Sequence, residues 1–321
     1  MPVKPCFTEW QNGPMIDPRR LRVLRALAEH GTVTAAAKAL YLSPSAASQQ
    51  LAALEAEVGH ALLERRGRSV RLTATGSVLA EHATRIAVQI ERAEADLAAV
   101  SAGLAGDVTV AAFATAITEV VAPAVAALRH PAPQVRVRVK DAEGRTSLRL
   151  LLDGEVDVAV AVEHRETLGS GADALLREPL YAEPFDVVLP PEHPLAGRPA
   201  VALPDLAADP WITPWPGNPV HDVVLRACED AGFQPRVDCL SDDFRAVTAL
   251  VACGSGVALV PRSALHAADL GGATVHPVEG RPPTRRVFTA VRRGSEHHPL
   301  LRFALDGLRE SAGRLVPRTA P

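Results

Sequence analysis

The sequence predicts a protein that is α/β overall. An all-α winged helix-turn-helix and a long linker helix are expected at its N-terminus, with a two-subdomain α/β domain after them. Three observations predict this arrangement. Three short helical patterns with N-cap residues precede a basic hairpin, a heptad-spaced helical pattern follows it, and valine-rich segments then alternate with helical ones. At 321 residues the chain is long enough for two or three domains with cores of their own.

Residues 17–58 carry the start and stop signals of three consecutive helices. The signals are Asp17 and Ser43 as N-caps, Pro18 and Pro44 as first helical residues, Gly31 as the stop of the first helix, Thr34 as the start of the second, and Tyr41-Leu42 as the turn before the third. Proline suits a first helical position because its missing N–H would have no partner there. A short second helix followed by a tight turn is typical of a helix-turn-helix.

The third helix has two chemically different faces. Its apolar stripe consists of Ala47, Leu51, Leu54 and Val58, and its opposite face of Ser45, Ser48, Gln49 and Ala52. Small uncharged side chains allow a helix to enter the major groove, where glutamine can pair with adenine and serine with several base edges. The alternative is an ordinary solvated face, but such faces usually carry lysine and glutamate. We therefore expect this helix to read DNA.

A basic segment follows, and Glu64–Arg71 suits a two-stranded wing that turns at Gly67. Arginines in a wing contact phosphates or a narrow minor groove, whereas the alternative is a loop that only adds solubility. Asp17–Leu72 holds nine lysines and arginines against five acidic residues, although the whole chain has a net charge of −3. Positive charge is therefore concentrated where nucleic acid would bind. The expected DNA contacts are Thr34, Ser43, Pro44, Ser45, Ser48, Gln49, Arg65, Arg66 and Arg68.

The next helical pattern, residues 74–104, is capped by Thr73 and predicts a coiled coil. Apolar residues recur along it at alternating spacings of four and three: Leu79, Ala83, Ile86, Ile90, Ala93, Leu97, Val100 and Leu104. The alternative is a surface helix that packs on one core, but its stripe would be wider. We expect a homodimer through Leu79, Ile86, Ile90 and Leu97. Such a dimer places two reading helices about 34 Å apart, which suits an inverted-repeat operator in double-stranded DNA.

Three stretches carry a family resemblance. They are ALAEHGTVTAAAKALYLSPSAASQQLAALEAEVGHALLERRGRSVRLTATG in the run that begins at Leu21, HPLAGRPAVALPDLAADPWIT at 193–213, and ALVACGSGVALVPRSAL at 249–265. They resemble the LysR-type transcriptional regulators, and the resemblance spans about residues 15–295. It implies a periplasmic-binding-protein-like effector domain, a small and often carboxylate-bearing effector, a tetramer built as a dimer of dimers, and RNA polymerase as a further partner. Family members usually carry phenylalanine where Leu63 stands and a large aliphatic residue where Ala47 stands, but both positions stay apolar.

Residues 107–295 show the alternation that is typical of a mostly parallel sheet. The expected strands are Val108–Ala112, Val135–Val139, Asp157–Val162, Phe185–Leu189, Trp211–Thr213, Val237–Leu240, Val257–Val260, Thr274–Val278 and Arg286–Val291. The last two are expected to return to the first subdomain, and such crossing strands leave a cleft at the carboxyl ends of the strands. The expected divisions are a disordered extension over 1–16, the winged helix-turn-helix over 17–73, the linker helix over 74–104, subdomain I over 107–183 and 265–295, subdomain II over 184–264, and a C-terminal helix and tail over 296–321.

The residues that line this cleft are expected in the loops that follow strands. Thr115 and Ala116 lie between the first strand and a helix, where free N–H groups and a hydroxyl can hold an anion. In similar regulators this loop contacts the effector. Thr213, Trp215 and Asn218 would supply a hydroxyl, a stacking plane and an amide, and Phe244 a wall. The structural alternatives are that Thr115 caps its helix and that Trp215 packs under a proline-rich loop.

Other classes of function find little support in the sequence. The four cysteines (Cys6, Cys228, Cys239 and Cys253) form no CxxC pair and no zinc pattern, so packing roles are favoured over a regulatory redox pair. Without a zinc pattern, no metal site is expected. No cofactor is expected either, because Gly254-Ser255-Gly256 lacks the third glycine of a dinucleotide fingerprint. The chain shows no membrane-spanning run and no signal peptide, which indicates a soluble cytoplasmic protein.

The sequence therefore predicts a sequence-specific DNA-binding transcriptional regulator, modulated by a small-molecule effector between two α/β subdomains. One alternative is a constitutive DNA-binding regulator with no effector. A less favoured alternative is an α/β enzyme with a DNA-binding appendage. No nucleophile, base and orienting group can be assembled from the sequence, so no catalytic residues are assigned.

Overall fold

A computed structural model describes residues 16–66, 69–100, 104–164, 173–266 and 268–315 of the chain. Two compact units are present, one formed mainly by residues up to Asp96 and one mainly by residues from Leu97 onward. The predicted extension over 1–16 falls outside the described residues except for Ile16, and so do Gly67 at the predicted wing turn and the end of the tail over 316–321. In the described parts of the chain, no helix combines the length and apolar character needed to cross a membrane.

The first unit contains the predicted helix-turn-helix and wing. Its elements are α1 (Pro18–His30), α2 (Val33–Ala39), α3 (Pro44–Val58), β1 (Leu63–Arg66) and β2 (Ser69–Leu72). The Asp17 carboxylate accepts from the Arg19 N–H at 2.9 Å, and the Ser43 hydroxyl accepts from the Ala46 N–H at 3.1 Å, so both predicted N-caps are confirmed. Helix α2 begins one residue before the predicted Thr34, because the hydroxyl of the preceding Thr32 takes the capping position.

The core of this unit forms where the three helices meet. Leu51 and Leu54 of α3 are 1% and 0% exposed and pack against Leu24 of α1, as the apolar stripe predicts. Gly31 ends α1 with φ at +71°, a left-handed conformation that glycine adopts without a steric penalty. Strands β1 and β2 pair antiparallel from Leu63 opposite Leu72, which confirms the wing hairpin.

Helix α4 (Ala74–Val100) follows the wing, and the Thr73 hydroxyl caps it by accepting from the Gly76 N–H at 2.9 Å. Its first turns complete the core of the winged helix, because Leu79 and Ala83 pack there. Leu79 is partly buried against that core, and its place in the dimer seam stays a prediction. Farther along α4, Ile86, Ile90 and Leu97 are 41%, 47% and 71% exposed. The described part of this helix ends at Val100. The predicted residues 101–103 lie outside the described residues, and Leu104 is not helical.

The second unit contains the predicted α/β domain. Its elements are β3 (Gly106–Ala112), α5 (Ala114–Ala116), a π-helical turn (Ile117–Val121), α6 (Ala122–Leu128), β4 (Val135–Asp141), α7 (Arg145–Leu152), β5 (Val158–Val162), β6 (Leu175–Leu189), β7 (Pro210–Thr213), α8 (Pro219–Asp230), β8 (Arg236–Leu240), α9 (Phe244–Ala252), β9 (Ala258–Pro261), α10 (Arg262–Leu265), β10 (Thr274–Pro277), β11 (Thr284–Arg292) and α11 (Pro299–Ala312). The larger sheet has the order β10-β6-β11-β5-β3-β4, with β9 also paired to β6. Strand β3 runs parallel to β4 and β5, and β7 runs parallel to β8.

Two strands connect the subdomains. One of them, β11, contains the predicted Arg286–Val291, but the other, β6, was predicted as a strand only from Phe185 onward. Strand β6 is continuous through Glu183 and Pro184. Its Tyr181 packs in the core of the first subdomain and its Phe185 in the core of the second. Strand β11 returns to the first subdomain, where it pairs antiparallel with β5. Both strands therefore lie where the two cores meet.

The prediction that Thr274–Val278 returns to the first subdomain is wrong. Strand β10 pairs antiparallel with Asp186–Leu189, the part of β6 whose side chains build the second subdomain. Val275 and Val278 pack into the two hydrophobic clusters of that subdomain. The second subdomain therefore extends to about Val278. Short strands of both subdomains have a similar apolar sequence. The subdomain to which β10 belongs is therefore decided by the strand it pairs with, which the sequence does not show.

Candidate nucleic-acid interface and ligand cleft

The outward face of α3 is free to contact a partner. Ser45, Ser48 and Gln49 are all exposed. Ser45 has a hydroxyl contact with the capping Ser43 at 3.0 Å. The described part of the chain offers no hydrogen-bond partner to the side chains of Ser48 and Gln49. Pro44 and Thr34 are also exposed. This face can therefore offer hydroxyl and amide groups to base edges without first breaking internal hydrogen bonds.

The wing is fixed to the base of the same helix by Glu55. Its carboxylate accepts from the N–H groups of Leu62 and Leu63 at 2.8 and 3.0 Å, just where the hairpin begins. The sequence analysis did not identify this contact. Glu57, one half-turn on, forms an ion pair with Arg20 of α1. Both acidic residues of α3 are thus bonded to other parts of the first unit. They lie near its C-terminal end, away from the N-terminal half that carries Ser45 and Gln49.

The predicted basic contacts lie only partly in the described structure. Arg65 and Arg66 belong to β1, but their side chains and the whole of Arg68 lie outside the described residues. Arg71 of β2 and Lys38 of α2 are exposed. The first unit thus adds exposed positive charge to the uncharged face of α3, which is the composition of a phosphate-contacting surface.

In the second unit, loops from both subdomains face each other at the carboxyl ends of the parallel strands. An ideal Cβ on Gly144, after β4, would lie 3.3 Å from Cδ of Pro219 and 3.7 Å from the Gly217 carbonyl oxygen, after β7. His164, after β5, forms an ion pair at 3.2 Å with Asp222 of α8. The predicted cleft therefore has its rim where these loops meet, at the end of the sheet where α/β proteins usually bind ligands.

A buried ion pair lies where the crossing strands meet the first of these loops. The Arg285 and Glu183 side chains are 1% and 7% exposed, and both Nε and Nη2 of Arg285 lie 2.8 Å from Oε2 of Glu183. Nη2 also donates to the Thr115 hydroxyl at 2.8 Å, and the guanidinium stands 4.9 Å above the Phe113 ring. The other carboxylate oxygen of Glu183 accepts from the Ser263 N–H at 2.6 Å. The charges are thus paired and hydrogen-bonded, as burial requires.

The loop after β7 is held by the loop after β8. Oδ1 of Asp242 accepts from the Trp215 backbone N–H and from the Asn218 amide, each at 3.0 Å. The Asn218 side chain also caps α8 by accepting from the Val220 N–H at 2.9 Å. The Trp215 ring remains 56% exposed. One carboxylate therefore fixes the backbone that presents an open aromatic surface.

Glu143, in the loop after β4, is the group at the cleft whose pKa is shifted most clearly. Burial raises the pKa of its carboxyl to about 7, and the negative charges of Asp242 and Asp141 add to this, while Arg285 opposes it. The residue is nevertheless exposed at the surface, so water screens part of this effect. The cleft therefore holds a carboxyl that changes charge near neutral pH.

Comparison with known proteins decides the family. A model of the LysR substrate binding domain matches residues 101–313, and a model of the bacterial regulatory helix-turn-helix protein, lysR family, matches residues 18–77. The chain belongs to the LysR family of transcriptional regulators. This LysR-type regulator is 34% identical over 254 residues to the probable hydrogen peroxide-inducible genes activator of Mycobacterium avium, across 76% of this chain and 78% of that protein.

Two solved structures are similar to this LysR-type regulator over nearly their whole length. A full-length OxyR from Pseudomonas aeruginosa has a TM-score of 0.67 at 24% identity, covering 96% of this chain and 99% of that one. Full-length CbnR in complex with its target DNA has a TM-score of 0.55 at 25% identity, covering 92% and 99%. The predicted fold class, a winged helix-turn-helix followed by a two-subdomain α/β domain, is thereby confirmed.

The structure separates the predicted effector residues of this LysR-type regulator into two groups. Thr115 in the short helix α5, and Trp215 and Asn218 in the segment after β7, keep part of their surface exposed. Ala116 is 0% exposed and packs in the first core, so its side chain offers no surface to a ligand. Thr213 is also 0% exposed, and its hydroxyl is bonded to the Pro214 carbonyl at 3.1 Å and lies 3.3 Å from Nδ1 of His221. These two assignments are wrong because both side chains point into the protein.

Phe244, the predicted wall, is half-buried and packs against both hydrophobic clusters of the second subdomain. Only its remaining surface can face a ligand.

The sequence analysis missed Arg285, Glu183 and Glu143, although the first two had left a signal. Strand β6 buries alternate residues from Tyr181 to Phe185 and every residue from Phe185 to Leu189, and Glu183 is one of the buried alternate positions. Strand β11 likewise buries Arg285 together with Val287. An acid and a base on inward positions of two strands indicate a buried pair. Glu143 had no such signal, because it lies in a loop.

Proposed function

We propose that this LysR-type regulator binds an inverted-repeat operator as a homodimer, and that a small molecule in the cleft of its α/β domain modulates this binding. The observation that carries the DNA-binding part is the exposed face of α3. Ser48 and Gln49 use none of their polar atoms within the described structure, and a capped helix presents them. The CbnR structure with target DNA supports the same use of the N-terminal domain.

The test separates base reading from phosphate binding. Gln49→Ala should change base preference at particular operator positions, because a lost base-edge contact costs about 1–3 kcal/mol only where that base is present. Arg65→Ala should weaken binding to all sequences alike and lower the salt slope by about one. Gln134→Ala, an exposed glutamine in the second unit, is the matched control and should leave DNA binding unchanged. Affinity selection from a randomised operator library followed by salt titration measures these effects. Equal effects of Gln49→Ala and Arg65→Ala on every sequence would contradict the proposal.

The apolar residues of α4 support the dimer. Ile86, Ile90 and Leu97 follow the heptad spacing and stay substantially exposed in the isolated chain. Burying such a stripe against a second copy removes apolar surface from water, which favours association by about 25 cal/mol per Å². Assembly of two dimers into a tetramer and contact with RNA polymerase are further parts of the proposal that rest on family membership.

Effector modulation is supported by the cleft and by the groups at its rim. Thr115, Trp215 and Glu143 together offer a hydroxyl, an aromatic surface and a titratable carboxyl, and strands β6 and β11 connect the subdomains that carry them. A ligand that binds one arrangement of the subdomains better than another shifts the population toward it. The experiment is a screen of small metabolites, carboxylates first, by thermal shift and then by operator affinity. Ligands that stabilise the protein without altering operator affinity would refute modulation.

A peroxide signal through Cys228 is less well supported than one through Cys253, the exposed thiol among the described residues, although the Mycobacterium avium relative is named for hydrogen peroxide-inducible genes. Cys228 is buried, and burial raises the pKa of its thiol to about 12. This thiol stays protonated near neutral pH, whereas the thiolate is the form that is oxidised readily. The family consists of transcriptional regulators, and we assign no catalytic role to any residue.

A further inference from the structure

Helices α3 and α4 are joined by a short set of hydrogen bonds, although the chain between them runs through the wing. Leu62, just ahead of the wing, is 0% exposed and packs in the core of the first unit. Its backbone N–H donates to the Glu55 carboxylate of α3 at 2.8 Å. Its carbonyl oxygen accepts from the backbone N–H of Thr73, the N-cap of α4, at 2.9 Å. One buried residue therefore connects the two helices directly.

The Thr73 side chain adds a second connection at the same place. Its hydroxyl donates to the Ala61 carbonyl oxygen at 2.9 Å and accepts from the Gly76 backbone N–H at 2.9 Å. A threonine hydroxyl has a single hydrogen, so its only donor is used here. The start of α4 is thus bonded to two consecutive residues, Ala61 and Leu62. We call the group of Glu55, Ala61, Leu62, Thr73 and Gly76 the Leu62 junction.

Gly76 allows α4 to approach Leu62 closely. An ideal Cβ at position 76 would lie 2.2 Å from the Leu62 carbonyl oxygen and 3.0 Å from its carbonyl carbon. Ordinary contact begins at 3.4 Å, so a side chain at this position would force α4 and Leu62 apart by about 1 Å. The crowded atoms belong to the backbone of a buried residue, so they cannot rotate away as the end of a side chain can. The position of α4 relative to α3 therefore depends on this glycine.

The geometry of the Leu62 junction bears on the spacing of two reading helices in a dimer. Helix α4 continues from Gly76 to Ile86 and Ile90, which are exposed and belong to the proposed dimer seam. The seam fixes α4 relative to the same helix of a second copy, and the junction fixes α3 relative to α4. Together they set the distance and the rotation between the two α3 helices.

We propose that the Leu62 junction sets the half-site spacing that the dimer accepts, with Thr73 and Gly76 as positioning residues. This inference rests on the proposed function, because it concerns the same operator. Each base pair added between half-sites moves one of them by about 3.4 Å and rotates it by about 35°. A rigid junction cannot follow this change. Base contacts in one half-site are then lost, and each loss costs about tenfold in affinity.

The experiment measures operator affinity as a function of spacing. The half-site that the full-length protein selects from a randomised library is placed in inverted repeats whose spacers differ by one base pair at a time. The wild type should bind one spacer at least about tenfold more tightly than the neighbouring ones. Similar affinity for all spacers would show that the junction is not rigid and would overturn the inference.

Two variants of Thr73 test its hydroxyl. Thr73→Val keeps the shape of the side chain but removes both of its hydrogen bonds, so it loosens the junction without adding atoms. The discrimination between the best spacer and its neighbours should fall by about threefold or more. Thr73→Ser retains the hydroxyl and should discriminate like the wild type. A Thr73→Val protein that is less stable but keeps the wild-type discrimination would contradict the proposal.

Gly76→Ala tests the close approach. By moving α4 relative to α3, it should change the preferred spacer or reduce the discrimination by about threefold or more, whereas base preference within a half-site should stay as in the wild type. Gly31→Ala, with φ at +71° and nothing within 4 Å, is the matched control. It strains the backbone of the same unit away from the junction and should keep the wild-type spacing preference. The same spacing preference in both variants would leave Gly76 a purely structural role and refute its part in the proposal.

The outcomes separate this inference from the proposed function. If Gly76→Ala does not fold, the comparison of Thr73→Val with Thr73→Ser decides. A wild-type protein that binds single half-sites as tightly as inverted repeats would refute the dimeric operator, and this inference with it. A wild-type protein that prefers inverted repeats but binds every spacer equally well would overturn this inference alone.

Discussion

Glu143→Gln is expected to change how the stability of the α/β domain depends on pH. The Glu143 pKa rises from 4.5 to about 7 in the folded protein. Because the unfolded chain releases this proton first, folding stability falls as the pH rises from 4.5 to about 7. The full shift corresponds to about 3 kcal/mol for a wholly buried group, and the partial exposure of Glu143 reduces it to on the order of 1 kcal/mol. Glutamine resembles the protonated carboxyl and cannot ionise, so the variant should lack this loss.

The assay is urea unfolding at a series of pH values, followed by the fluorescence of Trp211, which is buried in the second subdomain. Wild type and Glu143→Gln should have similar free energies of unfolding below pH 4.5, and the variant should be the more stable one above pH 7 by about 1 kcal/mol. Glu192→Gln, in an exposed loop, is the control and should follow the wild type. If the free energies of unfolding of Glu143→Gln and wild type depended on pH in the same way across this range, the electrostatic reasoning would be refuted.

Two further predictions concern the dimer seam and the rim of the cleft. Ile86→Asp places a charge in the apolar seam, so it should give monomers by analytical ultracentrifugation and lose affinity for an inverted repeat. The variant of an exposed neighbour, Gln89→Asp, should remain dimeric. A dimeric Ile86→Asp protein would contradict the seam. Gly144→Ala should destabilise the α/β domain by about 1–3 kcal/mol in chemical unfolding, since φ is +52° and the new Cβ would crowd the opposite loop. Gly59→Ala, in the left-handed helical region with φ at +70°, ψ at 16° and nothing within 4 Å, should cost less. Gly144 combines the crowding with a φ/ψ pair of +52° and −124° that residues other than glycine rarely adopt, and an equal cost for both variants would contradict this reasoning.

Local sequence signals were sufficient to predict most helices and strands of the first unit. The caps at Asp17, Ser43 and Thr73 involve hydrogen bonds that span only two or three residues, so a short stretch of sequence defines them. The stripe through Leu51 and Leu54 likewise needs only the helical period. The same period could not show that Leu79 packs on the winged-helix core. The heptad spacing is the same at Leu79, which contacts that core, as it is farther along the helix.

In the α/β domain, sequence reasoning found the strands and the loops but not the way the side chains point. Thr115 follows β3 and Thr213 ends β7, as predicted, yet Thr115 is half-buried and Thr213 is fully buried with its hydroxyl bonded to a carbonyl. The partner of β10 was also missed, because strands of either subdomain have the same apolar composition.

What the sequence alone determined is the set of elements, their order and the family, because caps, periodicity and motifs depend on neighbouring residues. What the tertiary structure decided is the chemistry of the cleft. Arg285 and Glu183 are 102 residues apart and meet only because two crossing strands run side by side. The raised pKa of Glu143 likewise depends on desolvation and on charges of residues as distant in sequence as Asp242. Burial and charge pairing depend on which distant residues come together, and no local pattern contains that information.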